Sequence, residues 1–373
     1  MLRLDLHTTA GLARRATLHT PRGPIETPVF MPVGTCGTVK GITPDQLRAC
    51  GSQMVLANTY HLMLRPGAET VSALGGVHGM LGWDGPMLTD SGGYQVFSLA
   101  HMRELDDEGV TFRSHIDGSK VTLTPGQAVR IQHHLGADVM MQLDECPPGD
   151  ASREEVVAAT RRSAEWARRC RDAWDALDRQ SALDQPQALF GIQQGGMHAD
   201  LREQSARELV ALDLPGYAIG GLSVGEGHQA MCNVLDAIDG QFPADRPRYL
   251  MGVGEPRDIL AAVGRGVDMF DCVLPTRNGR NAQAFTWNGR LRLRNAVHTT
   301  DAAPIDENCS CFTCRTYSRG TIRHLFMARE MLGPTLVTIH NLHWFAEFMG
   351  AIRTSIEAGT LKADAARWMA AME

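Results

Sequence analysis

Short apolar or β-branched runs recur along the chain at Pro28–Val33, Gln53–Asn58, Met87–Thr89, Asp138–Leu143, Ala188–Gln193, Gly216–Gly220, Arg248–Val253 and Asp268–Val273, and read as strands. Between them lie helical patterns. Pro44–Cys50 is short, and Pro125–Leu135 follows a Thr124 N-cap. The capping box Ser152-Arg153-Glu154-Glu155 opens a long helix to about Leu177, and Asp200–Leu212, His228–Ile238 and Pro256–Val263 follow. Alternating strands and helices imply parallel strands joined by right-handed crossovers. Eight of them predict an α/β fold closed as a (β/α)8 TIM barrel, with an open doubly wound sheet as the alternative. Val110–Ile116 and Ala284–Arg294 instead alternate polar and apolar residues, the second around a Trp287-Asn288-Gly289-Arg290 turn. Both predict small antiparallel hairpins inserted around the barrel. Asn341 to the end reads as amphipathic helix, with Leu342, Phe345, Phe348 and Ile352 on one stripe.

The chain has 373 residues, 43% hydrophobic and 21% charged, which excludes fibrous and disordered classes. One barrel domain can occupy 1–373, with an insertion at 304–343 that shows no strand–helix repeat. No run approaches the ~18 apolar residues of a membrane span. The segment Met1–His7 has no basic stretch leading into an apolar run, so a cytoplasmic location without membrane contact is expected. The net charge of −6 argues against indiscriminate nucleic-acid binding. Yet no Asp or Glu occurs between Asp271 and Asp301, an interval holding Arg277, Arg280, Arg290, Arg292 and Arg294. This +5 segment predicts a polyanion docked in one place.

Of nine cysteines, six are scattered and three are crowded at Cys309, Cys311 and Cys314. That is a metal-binding rather than a disulfide pattern. One histidine among His324, His340 and His343 would complete a tetrahedral zinc site. Four protein ligands leave no open position, so one structural Zn2+ per chain is expected.

Three aspartates directly follow apolar strands: Asp90, Asp144 and Asp271. At the C-terminal face of a barrel they would converge. Ser91-Gly92-Gly93-Tyr94, Gln194-Gly195-Gly196 and Gly220-Gly221-Leu222 put glycines beside them, where a ligand can approach the backbone. Carboxylate pairs suit chemistry at a glycosidic carbon, one attacking C1 and the other moving protons, and a further carboxylate can read the edge of a flipped base. An acidic pocket beside an arginine strip suggests chemistry on a nucleobase within RNA.

The segments Thr27–Thr35, Ala57–Leu62, Leu88–Phe97, Asp144–Pro147, Gly220–Glu226, Tyr249–Gly254 and Phe270–Asn278 resemble the bacterial tRNA-guanine transglycosylases of the queuine tRNA-ribosyltransferase family over nearly the whole chain. The resemblance implies a (β/α)8 barrel with a C-terminal zinc-binding subdomain. It implies exchange of the wobble guanine of GUN-anticodon tRNAs for 7-aminomethyl-7-deazaguanine (preQ1). Asp271 would be the nucleophile and Asp90 the general acid/base. Asp90, Ser91, Gly92, Gly93, Asp144, Gln194 and Gly221 would bind the purine, with Tyr94 and Met251 stacking on it. Leu222 and Glu226 would recognise the aminomethyl group, and Val224 is the bacterial residue where eukaryotic catalytic subunits carry glycine. Gly252, Val253, Gly254, Glu255, Pro256, Arg257 and Asp258, with Thr276, Arg277, Asn278, Gly279 and Arg280, would bind the anticodon loop. His340 would complete the zinc site, and the enzyme would be a homodimer. Two other classes compete: a non-catalytic tRNA-binding paralogue, which loses the aspartates present here, and a zinc-dependent barrel hydrolase, which needs histidines at strand ends.

Overall fold

The computed structural model describes residues 2–99, 103–177 and 186–372. Eight parallel strands close a barrel: β1 (Val29–Gly34), β2 (Val55–Ala57), β3 (Met87–Thr89), β4 (Val139–Met141), β5 (Ala188–Gln193), β6 (Gly216–Ile219), β7 (Arg248–Leu250) and β8 (Met269–Cys272). Each expected strand is present. The pairings Met269↔Val29 and Val139↔Leu88 join the remaining edges, so the sheet is closed rather than open and doubly wound. Residues of β1 to β6 are buried throughout, because helices cover one face and interior side chains the other. The helices begin where their caps require. Thr124 and Ser152 form capping boxes with Gln127 and Glu155, and Gly136 ends its helix in the left-handed region.

An antiparallel sheet of Arg3–Ala10, Ala13–Thr20 and Gly23–Thr27, absent from the sequence-based expectation, plugs the bottom of the barrel. Its Leu4, Ala16, Leu18 and Ile25 cluster with the barrel-interior Val29, Met31, Leu88, Met141 and Phe190. The larger apolar side chains contribute roughly 1.5–3 kcal/mol each by burial. Arg14 fastens the plug. Its Nε donates to Asp268 Oδ1 at 3.0 Å, and its Nη1 and Nη2 donate to Ala244 O and Arg246 O. With that end sealed, the opposite, C-terminal end carries the open cleft.

Two expectations about the periphery change. Val110–Arg113 is the middle strand of a three-stranded sheet with Arg103–Leu105 and Lys120–Leu123 rather than half of a hairpin. The second hairpin holds, with Gln283–Thr286 paired to Gly289–Arg292 across Trp287-Asn288. The last helix starts at Leu332, nine residues before the predicted Asn341. It runs to Glu357, and a second helix, Leu361–Met372, follows the left-handed Gly359. The first packs Trp344 and Phe345 on Phe285, Phe348 on Trp287, and Phe345 on Phe30, which bolts it to hairpin and barrel.

Candidate active site

The C-terminal ends of the strands open on a cleft of about 1690 Å³, its open mouth included. Asp90, Ser91, Gly92, Tyr94, Asp144, Gly221, Leu222, Met251, Gly252, Val253, Gly254, Glu255, Asp258, Asp271 and Arg277 all line it. Asp271 lies within β8, where pairing with β1 fixes its backbone. Its Oδ1 accepts from the Tyr249 hydroxyl at 2.6 Å and from the Gly252 amide at 2.7 Å. Both donors converge on one oxygen, so Oδ2 is the one left for other chemistry. Burial raises the Asp271 carboxyl above the ordinary carboxylate range, and the two donors oppose that shift. The Tyr249 phenol, buried and facing the Asp271 charge, is held well above 10 and stays a donor.

Asp90 follows β3. Its Oδ1 accepts from the Thr59 amide at 2.8 Å and the Gly92 amide at 3.2 Å, and its Oδ2 accepts from Asn58 Nδ2 at 2.5 Å. Burial pushes this carboxyl up to about 7; the Thr59 amide works against that rise and the Asp271 charge adds to it. Asn58 also caps the helix Thr59–Leu64 through Oδ1, so one side chain starts that helix and orients Asp90. Asp144 follows β4, accepts from Gln194 Nε2 at 2.7 Å and from Ser91 Oγ at 3.4 Å, and is pushed by burial to about 6. Gly92 turns at φ +79°, and a Cβ on Gly93 would meet Asp144 O at 2.7 Å, so the Asp90 and Asp144 loops approach only with glycine there.

The loop after β6 closes one wall. Glu226 accepts from the Ser223 amide at 2.5 Å and the Val224 amide at 2.8 Å, which supports the left-handed Ser223 (φ 61°). Leu222 is buried against this turn, while Tyr94, 51% exposed, and half-buried Met251 offer apolar surface in the cleft.

The residues expected to bind the anticodon loop divide. Arg277 is exposed and lines the cleft, and Arg257 lies exposed on an adjoining groove with Pro256 and Glu255. Thr276, Asn278 and Gly279 are instead buried in the helix Leu274–Arg280. Thr276 Oγ1 donates to Val273 O, and a Cβ on Gly279 would lie 2.6 Å from Thr338 Oγ1 of the long C-terminal helix. These three seat that helix and do not face solvent. Arg280 is half-buried, and Arg290 pairs with Glu255 and covers the Phe285 ring at 4.9 Å. Of the five arginines in the basic segment, Arg277 is the one lining the cleft.

Away from the cleft, Cys309, Cys311, Cys314 and His340 form a ligand-competent cluster. The Sγ atoms stand 3.6, 3.7 and 3.3 Å from His340 Nδ1. A tetrahedral zinc with bonds of about 2.3 Å to sulfur and 2.0–2.1 Å to nitrogen separates S and N by about 3.6 Å, so the donors fit. His340 Nε2 meets Phe285 O at 2.8 Å, which leaves Nδ1 as the ligand nitrogen. Of the alternatives, His324 is exposed and His343 bonds Ser310 and Glu347. The same helix carries Asn341, whose Nδ2 donates to Pro275 O and Gln283 O and whose Oδ1 accepts from Phe285 N.

The profile of the queuine tRNA-ribosyltransferase family matches residues 8–373. The chain belongs to that family. It is 54% identical over 361 residues to the queuine tRNA-ribosyltransferase of Novosphingobium aromaticivorans, covering 97% of this chain and 96% of that one. It is likewise 54% identical to the Cereibacter sphaeroides protein of that name, covering 96% and 93%, and to the Pelotomaculum thermopropionicum one, covering 94% and 92%. As a member it is a ribosyl-transferring, hence pentosyl-transferring, enzyme of the tRNA-guanine transglycosylase kind, and among its described residues no helix is long and apolar enough to cross a membrane. Tyr249 and Asn58, which orient the two aspartates, carry no sign of that role in the sequence, because each acts on a residue distant along the chain.

Proposed function

We propose that this member exchanges the guanine at anticodon position 34 of GUN tRNAs (Asp, Asn, His, Tyr) for preQ1, by double displacement through a covalent ribosyl-aspartate. The observation that carries this reading is the asymmetry of Asp271: Oδ1 is held by two donors and Oδ2 is left to attack. In the first displacement Oδ2 bonds to C1′ of the nucleotide, the C1′–N9 bond breaks and its electron pair leaves with the guanine. Asp90, raised by burial to about 7, is partly protonated at neutral pH and supplies the proton the departing base needs. In the second, preQ1 nitrogen attacks C1′, the ester bond breaks, and Asp90 takes the proton from the incoming base. Two inversions at one carbon retain its configuration.

Asp144, Gln194 and Gly221 would bind the purine edge between Tyr94 and Met251, and Leu222 with Glu226 would take the aminomethyl group. Cys309, Cys311, Cys314 and His340 would hold zinc, which supplies structural cross-linking. We further take residues 1–373 as one catalytic domain with a zinc-binding insertion at 304–343, working as a cytoplasmic homodimer. Incubation with labelled guanine and a GUN tRNA tests the reading. Label should enter at the wobble position alone; label elsewhere, or none, would overturn it.

Two further outcomes follow. The RNA kcat/KM requires ionised Asp271 and protonated Asp90, so it should fall as pH rises above about 7. Asn58→Ala removes a donor to the charged Asp90, raises its pKa and should move that limb upward. A limb that stays put would remove Asp90 from the acid role. Unstacking the loop opposes binding, and arginine–phosphate contacts offset this. Arg277→Ala should therefore weaken tRNA binding by roughly ten-fold and flatten its salt dependence by about one charge, with KM for free guanine unchanged.

A further inference from the structure

Arg202, on the helix Ala199–Val210, is completely buried, and among the described residues no carboxylate forms an ion pair with it. A buried cation without a counterion is costly unless its N–H groups are fully used. Those of Arg202 go to main-chain carbonyls of two loops. Nε donates to Gly196 O at 2.9 Å, Nη1 to Gln193 O at 3.2 Å and Gly220 O at 2.8 Å, and Nη2 to Gly221 O at 3.4 Å. The loops answer on the same helix: Gln193 Nε2 donates to Arg202 O at 2.8 Å, and the Gln194 amide donates to Ser205 Oγ at 3.2 Å. One helix thus grips the loops after β5 and β6.

A trans peptide points its C=O and N–H in opposite directions. Drawing the Gly220 and Gly221 carbonyls toward Arg202 turns the following amides, Gly221 N–H and Leu222 N–H, the other way. Gly220, Gly221 and Leu222 line the cleft, and neither of those two amides bonds a main-chain carbonyl; the Gly221 amide faces the Cys146 thiol, which lines the same cleft. Gly221 sits at φ +64°, and a Cβ there would lie 2.5 Å from Gln194 Oε1, itself buried and without a hydrogen-bond partner.

We infer that Arg202 is the positioning residue for purine recognition. Its guanidinium sets the Gly221 and Leu222 amides and, through the Gln193 carbonyl, the backbone that carries Gln194, as one fixed polar edge matched to a 6-oxopurine. Its charge, in no ion pair among the described residues though within the field of Glu226, favours electron density gathering on the 6-oxo group as the base departs. This rests on the base-exchange reading above. Lysine keeps the charge but lacks the planar fork that spans two loops.

Affinities for guanine and for 2-aminopurine, which lacks the 6-oxo group, test the assignment in wild type, Arg202→Lys and Arg202→Gln. Wild type should prefer guanine at least ten-fold. Both variants should lose most of that preference, whereas a merely loosened fold weakens both purines alike. If neither variant folds, hydrogen exchange on wild type decides: saturating guanine should protect the Gly221 and Leu222 amides at least ten-fold. Retained preference in Arg202→Lys, equal weakening of both purines, or unprotected amides would overturn the assignment. A wild type that binds neither purine would overturn the base-exchange reading itself, and this inference with it.

Discussion

Asp271→Asn should abolish base exchange, by at least about 10³-fold, while leaving the cleft in shape. Asparagine is isosteric with aspartate, and its Oδ1 can still accept from the Tyr249 hydroxyl and the Gly252 amide. What disappears is the carboxylate oxygen that would bond C1′. Rapid denaturation of wild type in mid-reaction should capture an RNA–protein ester mapping to Asp271, and the variant should yield none. An adduct on Asp90 instead would reverse the two roles. Stability should move the opposite way. Burial raises the Asp271 pKa in the folded state, so folding favours the protonated form. Its penalty is absent below the unfolded value of about 3.9, grows as pH climbs toward the folded value, and is complete above it. The variant lacks it, so its Tm should exceed that of wild type by a few °C at pH 8 and match it near pH 3. A variant that is inactive and also less stable at pH 8 would indicate damage to the cleft rather than loss of a nucleophile.

What the sequence made legible follows from where the signal lay. The barrel strands stood out as short apolar runs, and the aspartates at their ends gained meaning because such ends converge in a barrel. The three crowded cysteines announced a metal, yet three histidines remained open, since only the turn of the Leu332–Glu357 helix separates buried His340 from His343 three residues on. The N-terminal sheet was illegible because its first strand mixes exposed and buried positions and slips register between Leu6 and Thr8. Arg202 reads as one more solvated charge on a helix, although it shares a buried stripe with Leu201, Ser205, Ala206 and Leu209. Thr276, Asn278 and Gly279 look like an RNA-facing loop, but a helix there turns them inward. For Arg202 and for the Leu274–Arg280 helix, the deciding partners are remote in sequence.

Loss of the metal should unfasten the C-terminal helix before it touches the chemistry. Purified protein should contain about one zinc per chain, and Cys311→Ala should contain none. That substitution also removes the sulfur that accepts the Cys314 amide and caps the short helix Phe312–Thr316. Zinc binding in small sites is worth about 10–16 kcal/mol of apparent folding free energy, so even partial expression of it here should lower Tm by roughly 10 °C or more. The path to activity runs through one neighbour. His340 would be held by the metal, and Asn341 beside it clamps Pro275, Gln283 and Phe285. Pro275 begins the turn that presents Arg277 to the cleft, four residues after Asp271. Weakened RNA binding should therefore accompany loss of the helix, with affinity for free guanine affected last. Slow chelation, followed by circular dichroism and by exchange activity together, checks the order. Activity that vanishes at once with the fold intact would mean that the metal takes part in catalysis, and the structural assignment would fall.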